Sequence, residues 1–253
     1  MAPESPTAAA IQMKGISLNY GNLDVVQEVN LSVPRGETKV ILGPSGVGKS
    51  TILKAILGLL RPRRGEIYIG GREISKLPEK ELVRMRLQMA MVFQHGALFD
   101  SMTVSDNVSF RLREWGLIPS ERIEPRVREV LQFVGLEGAL KLRPSQLSGG
   151  MKKRVAIARA LAPEPEIFLF DEPTVGLDPI NLFNVEQLIL KLKQQHKRTM
   201  VIVTHDVGSA FRLADSIVML HEGKFIFEGT AEALKQATDK RIREFLDPVR
   251  INV

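Results

Sequence analysis

Eight consecutive residues, Gly43-Pro-Ser-Gly-Val-Gly-Lys-Ser50, set three glycines, a lysine and a hydroxyl at the spacing G-x-x-x-x-G-K-[ST]. That set suits one chemistry, the binding of phosphate groups. The glycines let backbone N–H groups close around phosphate oxygens, Lys49 places a cation between the outer phosphates, and the Ser50 hydroxyl can ligate Mg²⁺. The context suits the task. Lys39-Val-Ile-Leu42 reads as a short buried strand, and from Ser50 to Leu60 the residues Ile52, Leu53, Ile56, Leu57 and Leu60 lie on one helical stripe. The start of that helix adds a favourable dipole.

Three further stretches end in chemically capable residues. Ile167-Phe-Leu-Phe170 is an apolar strand running into Asp171 and Glu172. The strand end is where ligands of open α/β sheets bind, so Asp171 is placed to hold a metal. Glu172, one residue further, can accept a proton from, and orient, a water attacking a γ-phosphate; the plainer alternative is that both carboxylates cap a turn. Met200 to Val203 is a similar strand ending at Thr204-His205-Asp206, which puts His205 beside the same chemistry or leaves it an ordinary strand-end residue. Leu147-Ser-Gly-Gly-Met151, followed by Lys152-Lys-Arg154 and the small residues Ala156 and Ala160, reads as a second anion-binding helix start. A cap alone would explain Ser148 but not two adjacent glycines that leave the backbone bare.

The elements that must position these residues follow from periodicity. Alternating apolar residues from Ile11 to Tyr20, and again at Val29, Leu31 and Val33, predict an antiparallel layer that ends at Pro34-Arg-Gly36. Glu66 to Ile69 enters a Gly70-Gly71 turn, and Met89 to Phe93 is a buried strand ending at Gln94. Thr103-Val-Ser-Asp106 is a capping box, and Ile123, Val127, Val130, Leu131 and Val134 mark a helix that stops at Gly135. Strands return at Ile167–Phe170 and Thr199–Val203, with Asp178-Pro179 opening a helix between them. A hairpin centres on His221-Glu-Gly-Lys224, and Thr230 to Leu246 is helix-rich. The fold class is α/β: a parallel sheet core over about 11–94 and 161–230 with an antiparallel β layer, a helical subdomain over about 95–160, and a helical tail over about 231–253.

Composition narrows the setting. With 253 residues, 44% hydrophobic and 25% charged, the chain can bury a core without staples. There is no Cys and only four His, which excludes disulfides and offers no zinc constellation; any metal must come with the nucleotide. The start lacks a basic segment followed by an apolar one, and no run approaches the length of a spanning helix, so a cytoplasmic chain held at a membrane by a partner is expected. The net charge of +6 suits an anionic partner such as lipid headgroups or nucleic acid. However, Arg61, Arg63, Arg64 and Lys152, Lys153, Arg154 read as short solvated clusters, and no nucleic-acid partner is expected.

Taken together, these residues resemble the ATP-binding cassette (ABC) family over essentially the whole chain. Tyr20 matches the adenine-stacking aromatic, and Gly43, Pro44, Ser45, Gly46, Val47, Gly48, Lys49, Ser50 and Thr51 match the Walker A loop of P-loop NTPases. Gln94 matches the Q-loop and Ser148, Gly149 and Gly150 the signature. Asp171 and Glu172 match the Walker B pair, Asp178 the D-loop and His205 the switch histidine. Met151 departs from the Gln most common after the signature. The resemblance implies a RecA-like nucleotide-binding domain that hydrolyses ATP with Mg²⁺ held by Ser50, Gln94 and Asp171, and a homodimer in which each nucleotide lies between Walker A of one copy and the signature of the other.

The run from Phe93 to Val104, Met151 and the tail Glu244-Phe-Leu-Asp-Pro248 look most like the ATPase subunits of Mla-type lipid transporters. Those work with a permease and an Mce-domain protein, and in some systems with a STAS-domain subunit. The stretch from Gln94 to Val104 also resembles amino-acid importer ATPases. Soluble cassette ATPases are disfavoured, since no heptad run lies between Lys49 and Ser148, and a sensing module without turnover is disfavoured by Glu172 and His205. Ala97, Leu98, Phe99, Val104, Val108 and Phe110 are read as a groove for a permease helix or, alternatively, as core.

Overall fold

Apolar residues in the first strand do not alternate without a break: Ile11 and Met13 are followed, three residues on, by Ile16 and Leu18. The computed structural model describes residues 9–21, 23–196 and 198–250, and in it the break is a β-bulge. β1 (Ile11–Tyr20) pairs antiparallel with β2 (Leu23–Val33), and the register shifts between Met13 and Ile16 and again between Ile16 and Leu18. All four apolar side chains are thereby buried, because an extra residue resets which side of a strand faces inward. The start of the chain and the last three residues of the expected tail lie outside the described residues.

The described chain forms two units, one of residues up to Arg86 together with those from Leu192 onward, the other Leu87–Lys191. In the first unit β3 (Thr38–Leu42) is buried at every position, as befits a strand covered on both faces. It leads through the glycine-rich loop into α1 (Lys49–Ile56). β4 (Arg64–Ile69) pairs with the other side of β1 and turns at Gly70-Gly71 into β5 (Arg72–Glu73), so the antiparallel sheet runs β2-β1-β4-β5.

α1 is shorter than its apolar stripe predicts. Gly58 takes φ +66, its N–H donates to Ala55 O, and the N–H groups of Leu59 and Leu60 fold back onto Lys54 O. A left-handed glycine ends a helix by satisfying its last carbonyls, so Leu57 stays buried while Leu59 turns out. The helix α2 (Glu79–Arg86) was not expected: its only buried residues, Leu82 and Met85, are too few to make a stripe.

The second unit holds β6 (Met89–Val92), α3 (Val104–Glu114), α4 (Ser120–Phe133), α5 (Gly149–Leu161), β7 (Ile167–Asp171) and the start of α6 (Pro179–His196). β6 and β7 are parallel, with Val92 opposite Phe170. Thr103 caps α3 as a capping box, its hydroxyl accepting from Asp106 N at 3.1 Å. The stripe Ile123, Val127, Val130, Leu131 on α4 is buried, and so is Val134 beyond its end. Val104 and Val108 are fully buried, which makes them core rather than groove; Phe99 is exposed, with its ring 4.7 Å from that of Phe110.

The chain re-enters the first unit with β8 (Thr199–Thr204), α7 (Val207–Leu213), β9 (Ser216–His221), β10 (Lys224–Gly229), α8 (Ala231–Lys235) and α9 (Lys240–Arg250). β3 lies between β8 and β9, parallel to both, and β10 returns antiparallel along β9. The architecture is thus the expected α/β one, with parallel strands, an antiparallel layer and a helical cluster. Among the described residues, no helix is long and apolar enough to cross a membrane.

Candidate active site

In the first unit the buried β3 delivers the loop and α1 receives it. Gly43 has no room for a side chain: a Cβ there would come within 2.2 Å of Leu220 O on β9. Lys49 is buried, and its Nζ donates to the loop's own carbonyls, Gly43 O at 2.9 Å and Pro44 O at 2.8 Å. α1 begins at Gly48 with no side-chain cap and no acidic residue in its first turn. Its positive dipole end is therefore left to an anion. Ser45 and Gly46 are exposed, Ser50 half-buried and Thr51 buried.

Strand register brings His205 to the same place. Thr204 lies opposite Leu42, and Gly43 N donates to Thr204 O at 3.3 Å, so the next residue, the exposed His205, stands at the loop's end of the sheet. Tyr20, at the end of β1, is 47% exposed and lies beside α1, where Lys54 Nζ donates to its hydroxyl at 3.5 Å. Ring exposure is what stacking on a flat base requires.

In the second unit the parallel pairing of β6 and β7 puts Gln94 and the Asp171-Glu172 pair at matching strand ends. Both carboxylates are buried. Glu172 has φ +47 and precedes Pro173, a left-handed backbone that costs a non-glycine residue of order 1–3 kcal/mol and is typical of functional positions.

Between these ends lies Lys153, which is buried and not, as its place in the Lys152-Lys153-Arg154 cluster predicts, a solvated cation. Lys153 is 7% exposed; its Nζ donates to Gln94 O and, at 3.3 Å, to Glu172 O. Burial pulls its ammonium below the usual lysine range, while the charges of Asp171 and Glu172 pull the other way. Arg154 is likewise engaged, donating to Val134 O and Gly135 O at 3.3 Å. The signal for Lys153 was present: stepping back from Ala160 and Ala156 along the small-residue stripe of α5 lands on it.

The glycine pair has a structural side too. Ser148 caps α5, its Oγ accepting from Met151 N at 3.2 Å; Ser148 and Gly149 are exposed while Gly150 is buried. A Cβ on Gly150 would meet Asn181 Oδ1 at 2.2 Å. Asn181 in turn is held by Asp178, whose carboxylate accepts from the Asn181 side chain and from Asn181 N at 3.0 Å. Those bonds hold the Asp178 carboxyl below the usual carboxylate range. Asp178 and the glycine pair are therefore joined through Asn181, which the sequence reading did not single out.

Residues 26–175 match the family model described as ABC transporter. The chain belongs to the ABC transporter family. It is 42% identical to the Intermembrane phospholipid transport system ATP-binding protein MlaF of Escherichia coli (strain K12), over 97% of this chain and 91% of that one. It is also 42% identical to the Probable ribonucleotide transport ATP-binding protein mkl of Mycobacterium leprae, over 97% of this chain and 71% of that one. The solved dimer of the ATP-binding cassette MJ0796 in a post-hydrolysis state bound to ADP and Pi aligns with a TM-score of 0.80 at 35% identity, covering 87% of this chain and 98% of that one. This ABC ATPase is thus the ATP-binding, ATP-hydrolysing motor of a transporter.

Proposed function

We propose that this ABC ATPase drives phospholipid transport between membranes. The observation that carries the reading is the extent of the likeness to MlaF, which spans 97% of this chain and 91% of that relative, whereas the equally identical mycobacterial relative is spanned to 71%.

In this reading each candidate residue has a part in binding or hydrolysing ATP. Tyr20 stacks on the adenine, the residues from Gly43 to Thr51 cradle the phosphates, and Lys49 exchanges its loop carbonyls for phosphate oxygens. Glu172 orients the attacking water, and His205 and Gln94 contact the γ-phosphate and that water. Among the described residues no group of three or more His, Cys, Asp or Glu could hold a metal alone. Ser50, Gln94 and Asp171 instead offer hard oxygen donors, a set that fits Mg²⁺ when phosphates and water complete the shell. Those three residues would hold Mg²⁺, which would neutralise phosphate charge.

A second copy supplies Ser148, Gly149 and Gly150, with Asp178 beside them, so that donors reach the γ-phosphate only when a head-to-tail homodimer closes. In this reading the chain is one nucleotide-binding domain, with a core of about 11–94 and 161–230, a helical subdomain of about 95–160 and a helical tail of about 231–253. A membrane permease holds the chain at the cytoplasmic face, with an Mce-domain protein and, in some systems, a STAS-domain subunit completing the complex. Transport of ribonucleotides, suggested by the name of the mycobacterial relative, and of amino acids, suggested by the stretch after Gln94, are the rival cargoes.

Reconstitution of the ATPase with its permease in phospholipid vesicles separates them. ATP-dependent transfer of labelled phospholipid to acceptor vesicles is expected, and Glu172→Gln is expected to cut it by at least about a hundredfold, the contribution of a positioned proton acceptor. Uptake of a ribonucleotide or an amino acid without lipid transfer would overturn the lipid reading.

A further inference from the structure

We infer that Lys153 is a positioning residue for ATP hydrolysis: by donating to the carbonyls of Gln94 and Glu172 at once, it fixes the backbone from which both side chains project. An ammonium buried to 7% exposure is tolerated only where acceptors replace its water, and the two acceptors here are main-chain oxygens at the ends of two neighbouring parallel strands. Such a tie acts through backbone position. Glu172 is where a tie is needed, because its left-handed backbone ahead of Pro173 must be held by its surroundings.

The helix carrying Lys153 extends the same restraint. Arg159, two turns further along α5, donates to Gly96 O at 2.8 Å and Ala97 O at 2.7 Å, so α5 grips the segment after Gln94 at two points. The helix begins at Ser148-Gly149-Gly150. One rigid element therefore links the glycine pair to the strand ends bearing Gln94 and Glu172.

This inference rests on the reading of Glu172 as the group that orients the water. The test measures ATP affinity and steady-state turnover separately in Lys153→Met, Lys153→Arg and Glu172→Gln. Lys153→Met keeps the apolar stem and removes the donors. It is expected to bind ATP within about twofold of the unaltered chain while kcat falls at least about tenfold, the signature of an interaction felt in the transition state alone. Lys153→Arg, which restores cationic donors, is expected to recover most of the lost kcat.

A Met variant with kcat within twofold of the unaltered chain overturns the inference. If that variant does not fold, Lys153→Leu, which also lacks donors, decides: reduced kcat at unchanged ATP affinity supports the positioning role, whereas full kcat, or unfolding of this variant as well, overturns it. Retained turnover in Glu172→Gln would remove the underlying reading instead, whatever the Lys153 variants do.

Discussion

Gly150 shows how one residue can answer to two demands. Its bareness suits contact with a phosphate, yet the nearer constraint is the Asn181 amide, which occupies the space a Cβ would need. Gly150→Ala is therefore expected to lower stability by about 1–3 kcal/mol, the usual cost of overpacking. Combining it with Asn181→Ala should restore most of that loss, since the offending atoms are gone. Urea unfolding of the two single variants and the double variant measures the coupling. Additive losses would mean that Asn181 is not what excludes a side chain at position 150.

Element boundaries depend on satisfying backbone groups at helix ends. The reciprocal bonds between Thr103 and Asp106 occupy donors at the start of α3, the helix that follows the Gln94 segment. Thr103→Ala should cost about 1 kcal/mol of stability, as lost N-caps do, seen as a lower urea midpoint with an unchanged slope. Faster amide exchange confined to the first turn of α3 would place the effect at the cap. The end of α1 follows the same rule in reverse: Gly58 stops the helix although Leu60 continues its stripe.

The proposed assembly makes its sharpest prediction when two inactive chains are mixed. If each nucleotide lies between Lys49 of one copy and Ser148 of the other, Lys49→Ala and Ser148→Arg heterodimers carry both lesions at one site and none at the other. Random pairing makes half the dimers mixed with one of two sites intact, so about a quarter of full ATPase activity is expected where sites act independently. ATPase assays on each variant alone and on the mixture read this out. Absence of recovery, with heterodimers demonstrated by affinity capture of differently tagged chains, would count against independent head-to-tail sites.

The phosphate loop, the Asp171-Glu172 pair and the Thr103 box were legible in the chain because each is carried by residues a few positions apart. Local spacing sets whether N–H groups, a cap or a strand end can form. Most strands and helices were legible for the same reason, as alternation or short apolar runs and as spacings of three to four.

What the chain did not disclose depended on residues remote in sequence. The bulges in β1 depend on pairing with β2 and β4, and α2 has too few apolar residues to announce itself. Gly150 owes its constraint to Asn181, 31 positions on. Lys153 looked like one cation in a solvated cluster until folding placed the ends of β6 and β7 around it. Burial and partnership are properties of the packed chain, since a side chain's solvent is the set of residues the fold brings to it.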